Sequence, residues 1–434
     1  MSAGEVAAIL FSVFGVLIVL RVPVAFALGL ACVPVFFIED RLTPVMLARE
    51  MFKSYNSFVL LAVPFFLLAA NLMNSAGITE RLINLSKAMV GHLPGGLGHI
   101  NVVVSMLFAG ISGSSTADAA GIGSLLIPAM QKQGYDTRFS VAVTACSSVM
   151  GVIIPPSILM VVWGGLMSVS VGGLFLAGVI PGVLIALSMM ATVYVYARVY
   201  NYPVYSRASL RDFGQALARA LLALATPAII VGGIVLGWFT PTEASVIAVI
   251  YSLTLGLLIY RSIRPREVPK VLYDSGRFAA ISLFCIGTAS AFGWILAYFR
   301  IPQALVDVIV GWGLSGIGIG LAIAGAFLVI GMFIDAIPAI IILGTVLRPV
   351  AEAGGIHPIH FAIIGVVSLA FGLVTPPYGL CLLIACSLGK IKVVQALRDV
   401  CVLLIPMLLV LVLIVVLPDV IMALPRWLMP QFVN

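Results

Sequence analysis

Two short stretches decide the fold of this 434-residue chain: GVIIPPS at residues 151–157 and GLVTPPY at residues 372–378. They contain its only two Pro-Pro pairs, and a shift of 221 residues places the first pair on the second. The same shift, without a gap, pairs Gly151 with Gly372, Gly134 with Gly355, Pro128 with Pro349, and Gly110 with Gly331. This agreement predicts an internal repeat. The alternative is a pair of unrelated loops that use the same turn residues.

The composition places these stretches in a membrane protein. Of all residues, 62% are apolar and only 9% are charged, and the mean hydropathy is +1.22. Soluble domains carry about 25% charged residues, so a cytosolic globular enzyme is excluded. A membrane crossing needs about 20 apolar residues, and on this measure the chain offers roughly eleven to thirteen segments, several of them short or broken.

The net charge of +7 does not indicate nucleic acid as a partner, because no basic run is interleaved with stacking aromatic residues. The basic residues gather instead in two stretches, residues 198–219 and 261–277. Lys and Arg collect in the cytoplasmic loops of membrane proteins. The apolar region between the stretches is long enough for two crossings, with a break at GWFTP (237–241). Both stretches are therefore predicted to face the cytoplasm.

Each Pro pair interrupts an apolar stretch. Proline removes a backbone donor and disfavours helix in the residue before it, so each helix must open at its Pro pair. Carbonyl groups freed at membrane depth need protein, water or a cation as a partner. Matching interruptions in two halves of a chain indicate the binding site of a secondary transporter.

Upstream of the first break, the stretch FAGISGSSTADAAGIGSLLIPAM (108–130) concentrates hydroxyl groups and one acid between glycines. This favours a helical hairpin with an unwound tip, whose oxygens bind a small hard cation while helix N-termini face an anion. A small-residue helix interface is the alternative. In the second copy, Asp335 occupies the position of Ser114. Acids inside a membrane are usually functional, so Asp118 and Asp335 are candidate site residues, with helix capping as the alternative role.

With these motifs the chain resembles the large membrane subunit of tripartite ATP-independent periplasmic (TRAP) transporters over essentially its whole length. The residues that carry the resemblance are RVPVAFALG (21–29), VPFFLLAANLM (63–73), GHLPGGLGHINV (91–102), SGSSTADAAGIGSLLIPAM (112–130), GVIIPPSI (151–158), GWFTPTEAS (237–245) and FGLVTPPYG (371–379). Several long motifs in the same order make the resemblance specific. The chain has no Walker A sequence, which agrees with ion coupling rather than use of ATP.

The resemblance implies an all-α polytopic membrane protein with two inverted repeats, each containing a re-entrant hairpin and a broken helix. It also implies an elevator-type secondary transporter, in which a transport domain slides against a scaffold. A single integral membrane domain is expected over residues 1–434. Within it, repeat 1 is expected at about 50–197, the Arg-rich loops with a pair of helices at 198–277, and repeat 2 at about 278–417.

Two sodium sites are implied by the same resemblance, each between a hairpin and the opposing broken helix. The first is expected to use, mostly through backbone oxygens, Gly110, Ser112, Gly151, Ile154 and Ser157. The second is expected to use Gly331, Gly372, Tyr378 and the hydroxyl of Thr375. The substrate is expected between the hairpin tips, near Ser114, Ser115, Thr116, Asp118 and Asp335.

The implied function is sodium-coupled uptake of an organic acid of the C4-dicarboxylate, keto acid or sialic acid class across the bacterial inner membrane. The implied partners are a periplasmic substrate-binding protein and a small four-helix membrane subunit, which is expected to be a separate chain. Sodium is the coupling ion, and no other cofactor is expected. One alternative is a stand-alone anion/sodium or proton antiporter. Another is an intramembrane enzyme with Asp118 and Asp335 as paired carboxylates, disfavoured because no His or Cys completes a catalytic set.

Overall fold

The computed structural model describes residues 2–39, 41–311 and 313–432, and no β-strand occurs within these ranges. The α-helices of the described residues are α1 (Ala3–Val19), α2 (Val24–Ile38), α3 (Pro44–Tyr55), α4 (Ala62–Ser75), α5 (Ile78–Val90), α6 (Gly96–Ser112), α7 (Ser115–Lys132), α8 (Thr137–Ser148), α9 (Ile158–Met167), α10 (Val171–Tyr200), α11 (Leu210–Val235), α12 (Pro241–Leu253), α13 (Val268–Tyr298), α14 (Ile301–Gly311), α15 (Gly316–Gly331), α16 (Ala336–Ala353), α17 (Pro358–Gly372), α18 (Leu380–Gly389), α19 (Val393–Val416) and α20 (Pro418–Leu428). A π-helical stretch, Thr254–Ile259, extends α12.

Full-length and short apolar helices are mixed in the described part of the chain. Six helices are long and apolar enough to cross a membrane: α10, α11, α12 with its π-helical extension, α13, α16 and α19. Helices α3 and α4 meet at an angle of 70° and together have the length and composition of one further span. Seven other apolar helices are only 10–17 residues long. The prediction of an all-α polytopic membrane protein with short and broken segments is confirmed.

The repeat predicted from the Pro pairs is visible in the order of the helices. Helices α6 to α10 correspond to α15 to α19, and each series consists of a hairpin, a broken helix and a long helix. A shift of 221 residues places Ser115 and Thr137, where α7 and α8 begin, on Ala336 and Pro358, where α16 and α17 begin. The starts of the other three helix pairs agree within one residue.

Helix α10 shows that the two hairpins enter the protein from opposite ends. It has 30 residues, which corresponds to about 45 Å at 1.5 Å per residue. Near its last turn, Val193 lies so close to Gly98 of α6 that a Cβ on this glycine would be 2.7 Å from Val193 Cγ1. Near its first turn, a Cβ on Gly173 would be 2.8 Å from Cδ1 of Ile359, just after the second hairpin. The repeat is therefore inverted.

The two Arg-rich connections lie on the same side of the protein. Helices α11 and α12, which separate them, run antiparallel, and the hydroxyl of Tyr251 donates a hydrogen bond to the carbonyl of Leu222 (2.8 Å). The predicted break between these helices covers residues 236–240. There Thr240 and Glu243 form a capping box at the start of α12, so Glu243 has a capping role. Since the first connection follows α10, the first hairpin opens on this side.

A buried aromatic cluster joins the first repeat to the second. Trp163 of α9 has no exposed surface. Its ring centroid lies 5.7 Å from that of Phe327 in α15 and 5.2 Å from that of Phe361 in α17. Gly365 lets α17 approach this ring, because a Cβ there would be 2.5 Å from it. The second half of the first broken helix is thereby packed against the second repeat.

Candidate functional site

The tip of each hairpin is an unwound turn followed by a helix N-cap. In the first hairpin, Gly113 has a φ of +64°, a conformation that favours glycine. The next residue, Ser114, caps α7, and its hydroxyl accepts a hydrogen bond from the NH of Ala117 (3.5 Å). In the second hairpin, Asp335 caps α16 and accepts a hydrogen bond from the NH of Ala336 (2.8 Å). The two residues aligned by the repeat therefore have the same structural role.

The helix that follows each hairpin is interrupted at its Pro pair, as predicted. In the first break the chain is irregular over residues 153–157, and the hydroxyl of Ser157 donates a hydrogen bond to the carbonyl of Val152 (2.7 Å). In the second break the hydroxyl of Thr375 donates to the carbonyl of Phe371 (2.7 Å). These hydroxyls satisfy carbonyls near the point where each helix ends.

Each hairpin tip is held to the broken helix of its own repeat by a main-chain hydrogen bond. In the first repeat the NH of Ile158 donates to the carbonyl of Gly113 (3.3 Å). In the second repeat the NH of Tyr378 donates to the carbonyl of Met332 (3.1 Å). The tips and breaks thus meet inside the protein and form two related junctions.

Between the two hairpin tips lies a cavity of about 270 Å³, which we call the central cavity. Both tips and the second halves of both broken helices contribute to its walls. Four of the five residues predicted to bind substrate line it together: Ser114, Ser115, Thr116 and Asp335. The structure therefore brings residues from both repeats, far apart in the chain, to one space.

The electrostatics of the central cavity favour an anion. Helices α7, α9, α16 and α18 all begin at its wall, and their first residues line it: Ser115, Ile158, Ala336 and Leu380. A helix N-terminus carries roughly half a positive charge and presents free NH groups. Asp335 supplies a carboxylate, and the lining residues found in the described part of the chain include no Lys or Arg. The positive field thus comes from the backbone rather than from side chains.

One wall of the central cavity was not predicted from the sequence. It consists of Leu67 of α4 together with Phe278, Ile281 and Ser282 of α13. The only signal in the sequence is a single hydroxyl, Ser282, within the otherwise apolar run FAAISLF (278–284). Such a hydroxyl usually bonds within its own helix, and that of Ser282 donates to the carbonyl of Phe278 (3.1 Å).

Asp118 does not line the central cavity. It is fully buried, and its Oδ1 accepts a hydrogen bond from the hydroxyl of Ser112. Its Oδ2 faces Gly151, where a Cβ would be 2.5 Å from this oxygen. The structure thus places Asp118 beside two of the residues predicted for the first sodium site. Asp118 and Asp335 do not share one cavity, as a paired-carboxylate enzyme would require.

The other residues predicted for the first sodium site lie around the first break. Gly110 approaches it closely, since a Cβ there would be 3.5 Å from the carbonyl oxygen of Pro155. The hydroxyl of Ser157 is bonded within the break, as described above. The side chain of Ile154 points to α10, where a Cβ on Gly182 would be 2.3 Å from Ile154 Cγ1. Only the backbone of Ile154 is therefore available to an ion.

The residues predicted for the second sodium site centre on a contact between two glycines. A Cβ on Gly372 would be 2.5–2.8 Å from three backbone atoms of Gly331, so these chains touch. Thr375 lies one turn further along. The ring of Tyr378 is 47% exposed, and its NH is bonded to the hairpin tip. The carbonyl is the group that Tyr378 can offer to a cation.

The donor groups at both junctions suit a small hard cation. Helices α6, α15 and α17 end there, and the C-terminal end of a helix presents carbonyl oxygens with a partial negative charge. Half-helix ends and unwound carbonyls are the ligands that bind sodium in transporters with broken helices. In addition, Oδ2 of the buried Asp118 has no hydrogen-bond partner among the described residues.

Comparison with known proteins agrees with this arrangement. Residues 11–420 match the family described as "Tripartite ATP-independent periplasmic transporter, DctM component". The chain is 37% identical to the sialic acid TRAP transporter large permease protein SiaM of Vibrio cholerae, over 96% of this chain and 98% of that protein. It is 39% identical to the C4-dicarboxylate TRAP transporter large permease protein DctM of Pseudomonas aeruginosa, over 88% of this chain and 90% of that protein.

A solved structure shows a similar fold. The YdaH transporter of Alcanivorax borkumensis superposes with a TM-score of 0.63, covering 86% of this chain and 87% of that one. The sequence identity is 15%, so this likeness concerns the fold alone. The family match covers nearly the whole chain, and its relatives are named as transporter permease proteins rather than enzymes. The chain therefore belongs to the DctM component family of tripartite ATP-independent periplasmic transporters, as a multi-pass large permease subunit.

Proposed function

We propose that this chain imports an organic acid anion across the bacterial inner membrane, driven by sodium. The observation that carries the proposal is the central cavity, at whose wall four helices from two repeats begin. NH groups and helix dipoles at such ends bind carboxylates without a basic side chain. The relatives named for sialic acid and C4-dicarboxylates transport acids of this kind, which supports the same substrate class here.

Asp335 narrows the chemistry of the substrate. Four N-termini of about half a charge each, set against one carboxylate, give a field suited to roughly one net negative charge. Asp335 is also an acceptor that opens into the central cavity. An organic acid with a hydroxyl or amino group beside its carboxylate matches both features, since its donor would face Asp335.

The sodium ions are proposed to bind at the two junctions between hairpin and broken helix. Support comes from the helix C-terminal ends and glycine contacts there, and from the placement of the predicted ligands around them. Hairpin and broken helix are bonded to each other in each repeat. They can therefore move as one body, which is what an elevator-type movement requires.

The basic connections give the proposed orientation. The side with the Arg-rich connections is assigned to the cytoplasm. The first hairpin then opens to the cytoplasm and the second to the periplasm. A periplasmic binding protein would deliver substrate on the second-hairpin side, and a small four-helix subunit would stabilise the scaffold, as the family name implies.

Sodium binding can be tested without knowing the substrate. We would purify the chain with its small subunit and measure its thermal unfolding against sodium, with potassium and choline at equal ionic strength. A ligand that binds only the folded state stabilises it by about 2.7 kcal/mol at 100 times its dissociation constant. A saturable rise specific to sodium is expected. Equal curves for all three cations would contradict sodium coupling.

Uptake tests the substrate class. The complex would be reconstituted in liposomes with the binding protein, and uptake of labelled sialic acid, succinate and a hydroxy-monocarboxylate would be followed with an inward sodium gradient. Uptake of at least one acid, lost when the gradient is collapsed, is expected. Uptake of none of them, together with sodium binding, would exclude these substrates and limit the proposal to ion binding.

A further inference from the structure

The carboxylate of Asp118 is the buried group that the central cavity leaves unexplained. It has no exposed surface, and none of the ion pairs among the described residues includes it. The hydroxyl of Ser112 donates to Oδ1, while Oδ2 has no hydrogen-bond partner in the described part of the chain. A buried carboxylate in this condition is strongly unfavourable unless a positive charge or a proton compensates it.

The surroundings of Oδ2 supply further oxygens and no positive charge. Helix α6 ends at Ser112, so its last carbonyl groups point toward this region. Gly151 stands opposite, and its missing side chain leaves the space next to Oδ2 open, since a Cβ would be 2.5 Å away. A carboxylate oxygen, a hydroxyl and helix-end carbonyls around one gap are the ligand set of a hard cation.

The second repeat has no counterpart of this carboxylate. The shift of 221 residues places Asp118 on Ala339, whereas Ser114 falls on Asp335. The acid of the first repeat is thus buried at the junction with its broken helix, and the acid of the second repeat caps α16 and faces the central cavity. The two junctions are therefore electrostatically unequal.

We infer that Oδ2 of Asp118 is a direct ligand of the cation at the first junction, and that this makes the first site the anionic one of the pair. The inference rests on the proposed sodium binding and adds to it the single side-chain charge that the site contains. It also separates the roles of the two acids: Asp118 binds the ion, and Asp335 faces the substrate.

A purely structural role for Asp118 makes a different prediction. An acid in the first turn of a helix is favourable because of the helix dipole, and Asp118 lies in the first turn of α7. In that case its replacement would lower stability equally at all sodium concentrations. A ligand role instead shifts the sodium concentration at which stabilisation is half complete.

The test compares Asp118→Asn with Asp307→Asn, an exposed acid of α14, in the purified complex with its small subunit. Thermal unfolding is measured against sodium and against potassium. Asp118→Asn is expected to raise the half-saturating sodium concentration at least tenfold, about 1.4 kcal/mol of binding free energy, while Asp307→Asn leaves it unchanged. An unchanged half-saturation in Asp118→Asn, with normal sodium response in the wild type, overturns this inference and leaves the proposed function intact.

A second measurement covers the case in which Asp118→Asn fails to fold. Sodium-induced infrared difference spectra of the otherwise unaltered complex report on carboxylates, because a bound cation shifts the carboxylate stretching bands. A sodium-specific shift that persists in Asp335→Asn supports the inference, and a spectrum without any carboxylate change overturns it. Loss of all sodium response in the wild type would instead contradict the proposed function itself.

Discussion

Replacement of Gly372 by alanine should abolish sodium-dependent stabilisation of the complex. A Cβ at this position would be 2.5 Å from the nearest backbone atom of Gly331, whereas ordinary contacts of a Cβ begin at 3.4 Å. Because backbone cannot rotate away, α15 and α17 would have to separate by roughly 0.9 Å, a typical cost of overpacking being about 1–3 kcal/mol. Ligand distances in an ion site tolerate only about 0.2 Å. The second site should therefore be lost.

The assay is thermal unfolding of the complex against sodium, with potassium as the reference cation. Gly325→Ala in α15 is the matched control, because the control position is open, with no atom within 4 Å of its Cβ. It should keep the wild-type sodium response and gain slightly in stability, by about 0.5–1 kcal/mol, since alanine is favoured in helices. A Gly372→Ala complex with the wild-type half-saturation would refute the argument from close approach.

Three further substitutions test individual side chains. Thr375→Ala should weaken the response to sodium, whereas Thr345→Ala, which removes an equivalent hydroxyl bonded one turn back in α16, should not; equal responses would remove Thr375 from the site. Asp335→Asn should reduce uptake in reconstituted liposomes far more than Asp419→Asn, whose carboxylate is exposed and paired with an arginine; equal, negligible effects would leave only the capping role. Ser157→Ala removes the N-cap of α9 and should lower the free energy of unfolding by about 0.5–2 kcal/mol in sodium-free buffer; a loss below this range, measured by denaturant titration, would show that the cap contributes little.

The breaks and the repeat could be predicted because the rules behind them are local. Proline lacks an NH wherever it stands, and a Pro pair in an apolar stretch therefore opens a helix without reference to the rest of the fold. The same holds for the helix starts, since Ser114 and Asp335 are good capping residues directly before α7 and α16. The two caps could then be placed at corresponding positions from the sequence alone.

The positions of side chains relative to the central cavity depend on tertiary packing, which no local pattern encodes. Asp118 belongs to the same motif as Ser114, yet it lies four residues further along α7, about 6 Å at 1.5 Å per residue. That one turn moves it from the hairpin tip to the junction with the broken helix. Likewise, Phe278 and Ser282 reach the central cavity only because α13 packs beside it.

Each break has opposite poles within a few residues. In the first repeat the helical part before the break ends at Val152, with carbonyls exposed, and α9 begins at Ile158, with NH groups exposed. On the proposed assignment a cation is bound at one pole and an anion at the other. Linkage then requires that sodium raise the affinity for the acid by the same factor as the acid raises the affinity for sodium. The energetic exchange between ion gradient and cargo would thus reside in five irregular residues rather than in a distant gate.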